Sequence, residues 1–86
     1  MVKISAKIIK NHKTVKSASY NSINEYKSEE FYEYISALAQ KLDISTPIFI
    51  PYYIDCYEKF NYVSFQSEDF VDTVTFDSLL LENVDR

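Results

Sequence analysis

The chain has 86 residues, 47% hydrophobic and 26% charged, with a net charge of −4. This composition excludes disorder and points to a single globular domain over residues 1–86. Glycine is absent where average usage of about 7% would supply about six, and His12 and Cys56 are each the one residue of their type. Those gaps exclude the phosphate-binding loop, the dinucleotide fingerprint, the nucleophile elbow, an internal disulfide and a zinc site, and no metal or cofactor is expected.

The N-terminal segment alternates, with Val2, Ile4, Ala6 and Ile8 on one face of a strand over 2–8. Ile9 breaks the alternation, which predicts a partly covered edge or a bulge. Lys10-Asn11-His12-Lys13 reads as a turn, in which Asn11 is best able to take a left-handed conformation. A second strand over 14–20 completes a hairpin. Residues 21–27 read as a loop, with Ile23 as an anchor to the core.

The segment 28–42 carries Phe31, Ile35, Leu38 and Leu42 at spacings of four, three and four, one stripe of an α-helix. Ser28 is the expected N-cap, Glu29 and Glu30 suit the positive end of the helix dipole, and Lys41 suits the other end. Pro47 implies that the helix stops near Leu42 or Asp43. Ile48-Phe49-Ile50 is a short strand or an extended crossing of the core. A second, short helix over 52–60 has Pro51 in its first turn and Tyr53, Tyr57 and Phe60 at helical spacing. A strand over 62–65, a turn of helix over 68–72 and a last strand over 73–84 follow. In that last strand Val74, Phe76 and Leu80 share one face and Leu79 and Leu81 the other, so both faces are covered or a bulge near Ser78 switches them. The predicted fold is α+β: an antiparallel sheet of the N-terminal hairpin and C-terminal strands, with the long helix packed across one face.

Leu42-Asp43-Ile44-Ser45-Thr46-Pro47-Ile48-Phe49 and Phe70-Val71-Asp72-Thr73-Val74-Thr75-Phe76-Asp77 resemble stretches of a group of small, uncharacterised intracellular proteins of Gram-positive bacteria and their mobile elements. In that group a helix ends in Leu-Asp-Ile, a Pro-Ile-aromatic step follows, and Phe-Asp sits near the start of the final strand. Ser45 stands where the group has a further proline and Phe49 where it has tryptophan. The resemblance covers about a third of the chain and implies an element order and an intracellular setting, with no biochemical function attached. A looser likeness, without a motif, is to small acidic phage inhibitors such as anti-CRISPR proteins.

Charge is unevenly placed: residues 1–16 hold five lysines and no acid, whereas residues 17–86 hold four basic and thirteen acidic residues, giving +5 and −9. Glu25, Glu29, Glu30 and Glu33 gather at the start of the main helix, with Glu29 and Glu33 one turn apart and no lysine between them. Glu68, Asp69 and Asp72 form a weaker cluster. Eight tyrosines are an excess; tyrosine offers a stiff apolar surface with a polar tip, which suits interfaces and equally the margin of a small core. Tyr32 and Tyr34 flank the helical stripe, so one of them faces solvent. The expected contact face is therefore Glu25, Glu29, Glu30 and Glu33 with Tyr32, Tyr34, Tyr53 and Tyr57.

These features predict a non-enzymatic protein-binding domain, most concretely a phage or mobile-element inhibitor or modulator of a host protein such as a nucleic-acid-binding enzyme. One alternative is a nucleic-acid-binding module using Lys7, Lys10 and Lys13; near-absence of arginine and the overall acidity weigh against it. Another is a housekeeping interaction domain. The apolar run over 48–54 is broken by Pro51 and too short to span a bilayer. Met1-Val2-Lys3 runs straight into the first strand without an apolar leader. A cytoplasmic protein is expected, monomeric or paired as a homodimer along a hairpin edge bearing Ile9.

Overall fold

In the computed structural model, which describes residues 1–85, strands β1 (Val2–Lys10), β2 (Lys13–Ser22), β3 (Tyr62–Gln66) and β4 (Ser78–Asn83) form one antiparallel sheet in the order β2-β1-β4-β3. Helices α1 (Phe31–Leu42) and α2 (Pro51–Phe60) bury side chains against the same sheet face. The α+β architecture is as the periodicities imply. Val2, Ile4, Ala6, Ile8, Val63, Phe65, Leu79 and Leu81 point into that core. Lys3, Lys7, Leu80, Glu82 and Tyr62 lie on the other side of the pleat.

The hairpin closes in two residues, Asn11 and His12, at φ 54° and 65°, the left-handed pair whose twist matches that of the flanking strands. The irregularity expected at Ile9 falls instead on β2. Ile8 pairs with Lys16 and Ile9 with Thr14, which leaves Val15 as the extra, bulged residue. Nor is β1 an edge, because it is hydrogen-bonded to both β2 and β4. The free edges are β2 and β3. Ile23 is 89% exposed and anchors nothing.

A 3-10 turn, Ser28–Glu30, leads directly into α1. Phe31, Ile35, Leu38 and Leu42 are buried as the stripe predicts, and Tyr34 and Ala39 widen it. Burial of each large side chain contributes about 1.5–3 kcal/mol before entropy is counted. Ser28 is not the N-cap: it lies inside the 3-10 turn, and no side chain caps the turn or α1. The Lys27 N–H, which precedes the turn, donates to the Tyr34 hydroxyl at 3.1 Å.

The helix stops at Asp43, held at φ 59°. Its N–H donates to Gln40 O at 3.2 Å and the Ile44 N–H to Ala39 O at 3.0 Å, the paired bonds of a Schellman stop. Lys16 adds a cation there, donating to Leu42 O at 2.8 Å. In α2, Pro51 opens the first turn and Asn61 ends the helix at φ 65°, its N–H on Tyr57 O at 2.8 Å. Of the expected aromatic face of α2, Tyr57 is buried, Tyr53 is half-buried and Phe60 is 54% exposed.

Between the helices the chain crosses in extended form without joining the sheet, the Ile48 N–H bonded to Asp69 O at 2.8 Å. The helical turn expected over 68–72 is a 3-10 turn at Ser67–Asp69, closed where the Gln66 N–H donates to Asp69 Oδ2 at 2.9 Å. The last strand starts at Ser78, not Thr73. Phe70 and Phe76 fill the end of the core from an irregular segment, edge to face at 5.2 Å. The change of face therefore needs no bulge: Leu79 and Leu81 face the core, and Leu80 opposes Lys7 and Ser64.

Candidate functional site

Of the eight tyrosines two are buried, three half-buried and three exposed. Tyr34 and Tyr57 are 2% and 3% exposed, so these two members of the expected contact face belong to the core. They sit in a continuous aromatic run: Tyr20 to Tyr34 at 5.2 Å, Tyr34 to Tyr26 and Tyr26 to Tyr57 at 5.8 Å, and Tyr57 to Phe31 at 5.2 Å. Burial pushes the Tyr57 hydroxyl up to about 12. Burial first, then the hydrogen bond to Glu58 at 2.8 Å, holds the Tyr26 hydroxyl well above its ordinary range. Tyr53 is half-buried, with its ring at 5.3 Å from Phe65 and its hydroxyl on Asp69 at 3.2 Å. Tyr34 and Tyr57 are closed off from a partner in this structure, whereas Tyr53 keeps part of its ring exposed. A small domain places tyrosine at its core margin because the ring can be buried while the hydroxyl finds an acceptor.

Tyr32 is the outward member of the helical pair, 60% exposed. Its ring stacks on Phe49 at 6.4 Å, and Phe49 is wedged between Phe31 at 5.7 Å and Phe65 at 5.9 Å. Because the crossing segment is extended, turning Phe49 inward turns its neighbours Ile48 and Ile50 outward. Each is 62% exposed, and Tyr52, at the start of α2, is 63% exposed. Tyr32, Ile48, Ile50 and Tyr52 thus present four large apolar side chains around one half-buried anchor. Sequence reasoning named Tyr32 and missed the other three. Alternation about Phe49 between two prolines was the available signal.

Carboxylates rim this surface. Glu29 and Glu33 are exposed on the turns around Tyr32, Asp55 is exposed one turn beyond Tyr52, and exposed Glu68 neighbours the Asp69 carbonyl that holds Ile48. Glu25 is exposed and Glu30 half-buried. Lys41 lies at the opposite end of α1, bonded to Ser19 O, and Lys59 lines a cleft with Tyr52 and Asp55, so the excess of acid lies on the Glu29 and Glu33 side. A second cleft near the start of α1, about 590 Å³, is lined by Tyr26, Glu29, Glu58 and Asp85, with Lys27 among its neighbours.

The hairpin lysines have acids at hand. Lys7 pairs with Glu82 at 3.2 Å on the open sheet face. The Asn11 N–H donates to Asp77 Oδ2 at 2.9 Å beside the turn where Lys10 and Lys13 lie exposed. Lys10 and Lys16 share a cleft of about 430 Å³ with Asp43 and Asp72. Among the described hairpin lysines Lys7 is ion-paired, while Lys10 and Lys13 stand exposed; the first half of α1 carries Glu29, Glu30 and Glu33 with Lys27 beside them. His12 has a conformational role in the turn.

Among the described residues no group of three or more His, Cys, Asp or Glu side chains is placed to hold a metal ion, and no helix is long and apolar enough to cross a membrane. Compared with protein-family models, with curated proteins and with solved structures, the chain matches none.

Proposed function

We propose that the chain is a non-enzymatic protein-binding domain that docks on a basic surface of its partner through Tyr32, Ile48, Ile50 and Tyr52. The observation that carries this reading is the exposure of those four large apolar side chains inside a rim of carboxylates. Apolar area at the centre with polar groups around it is the anatomy of a contact surface. Tyrosine at such a centre supplies contact area at little entropic cost. The rim sets the sign of the partner: Glu29 and Glu33 attract lysine and arginine and steer their approach. Nucleic-acid-binding enzymes carry such basic surfaces, which supports a phage or mobile-element inhibitor or modulator of a host protein, working in the cytoplasm. The alternative, a nucleic-acid-binding hairpin, would rest on the exposed Lys10 and Lys13, with Lys7 engaged by Glu82.

The test is a pull-down from a Gram-positive host lysate with the wild-type chain, Tyr32→Ala/Ile50→Ser, and Glu29/Glu30/Glu33→Lys. A stoichiometric partner retained by the wild type and lost from both variants supports the reading. Equal recovery by all three, or recovery of nothing, overturns it. A Lys7/Lys10/Lys13→Ala variant that alone loses a nucleic acid ligand at about 50 mM salt would favour the hairpin instead.

A further inference from the structure

The free edge of β2 is the longest unpaired stretch of backbone in the sheet. Its hydrogen-bonding directions follow from the register. Lys3 O accepts from the Val84 N–H and Ile9 O from the Asp77 N–H, so the odd residues of β1 bond toward β4. The even residues Ile4 and Ala6 therefore bond toward β2, where they oppose Tyr20 and Ala18. Tyr20 and Ala18 then point their amides at β1, whereas Ser17, Ser19 and Asn21 point theirs outward. The bond from Lys41 Nζ to Ser19 O agrees with this. From Ser17 to Ser22 the strand holds no charge, proline or bulge, the devices that usually blunt an edge. Lys41, reaching over from α1, is the guard.

We infer that β2 pairs antiparallel with β2 of a second copy, about a two-fold axis at Ser19. The axis sets Ser19 against Ser19 and Ser17 against Asn21 as hydrogen-bonded pairs, which satisfies the outward amides reciprocally and joins the two sheets into one of eight strands. The basic end of the hairpin, with Lys13, runs toward Glu25 of the second copy, so the uneven charge of the chain favours the antiparallel arrangement. Both α1 helices lie on the same side of the joined sheet. Lys41 must leave Ser19 O before the strands close, which makes it the residue that sets how readily the copies associate. The surface used is separate from the Tyr32 face and independent of what that face binds.

Sedimentation equilibrium between about 1 and 500 µM tests it, with amide hydrogen exchange read at both ends of that range. The wild type is expected to pass from one chain to two. Exchange should slow at Ser17, Ser19 and Asn21 as it does so, with Ala18 and Tyr20 already protected. Ser19→Pro removes an amide hydrogen that the single chain does not use, and should weaken pairing at least tenfold with the circular dichroism spectrum unchanged. Lys41→Ala should tighten pairing severalfold. A single chain throughout the range overturns the proposal, as does a dimer with unaltered exchange at Ser17, Ser19 and Asn21. Should Ser19→Pro fail to fold, the wild-type exchange pattern and Lys41→Ala decide.

Discussion

The backbone N–H of Lys27 donates to the hydroxyl of Tyr34 at 3.1 Å, so a tyrosine within α1 ties down the chain that enters it. Two facts about the sequence meet there: the tyrosine excess and the missing side-chain cap. The Tyr34 ring is buried against Tyr20 and Tyr26, and its oxygen takes the N–H of the residue that precedes the turn, as the acidic partner in a capping box does. Tyr34→Phe keeps the packing and leaves the Lys27 amide without that acceptor. The expected loss is about 1 kcal/mol in a denaturant titration, or about 4–8 °C in melting temperature for a domain of this size. Tyr32→Phe, on the exposed side, should change neither.

Four residues sit at positive φ in a chain that has no glycine: Asn11, His12, Asp43 and Asn61. Asn and Asp tolerate that region best after glycine, yet the left-handed conformation still costs about 1–2 kcal/mol for a residue with a Cβ. Asp43→Gly and Asn61→Gly remove the penalty at two helix stops, and the larger entropy of the unfolded glycine offsets part of the gain. Each is expected to raise stability by about 0.5–1 kcal/mol. Asp43→Val should lower it by about 1 kcal/mol or more. Chemical denaturation of the three variants measures both signs.

Much of this was legible in the residues, and the reasons for the rest are specific. Periodicity exposed β1, the buried stripe of α1 and the α+β class, because one covered face imposes a repeat of two on strands and 3.6 on helices. Strand order escaped it. That β1 lies inside the sheet depends on pairing with β4, some seventy residues away in the chain, and nothing local in β1 announces that partner. The 70–77 segment misled because Phe70 and Phe76 are buried by position in a loop, not by a strand's alternation. At the candidate site, spacing showed that Tyr32 and Tyr34 diverge but not which one faces out. The choice falls to the side of α1 that meets Tyr20 on β2.

Leu38 is completely buried at the middle of the α1 stripe. Leu38→Ala should lose about 2–5 kcal/mol through lost contact and a residual cavity. Leu38→Asp places a carboxylate in the same apolar site with no partner, and against total stabilities of about 5–15 kcal/mol it should unfold the domain. Circular dichroism melts report both outcomes, and a native melting curve for Leu38→Asp would refute the assignment of the core.

Tyr57 links the interior to pH. Burial raises its hydroxyl from 10.0 to about 12, so the folded chain keeps the proton at a pH where the unfolded chain releases it. The folded state then binds more protons than the unfolded state between those two values, and stability falls as pH rises. The contribution is complete below pH 10 and is lost as pH climbs from about 10 to about 12. Tyr26, held higher still by burial and by its bond to Glu58, adds a loss of the same sign. Melting temperature should accordingly stay flat from about pH 7 to pH 9 and drop steeply above pH 10. Tyr57→Phe, which deletes the titrating group but keeps the ring against Phe31 and Tyr26, should make that drop visibly shallower. Equal slopes for Tyr57→Phe and wild type would remove Tyr57 as the origin of the alkaline transition.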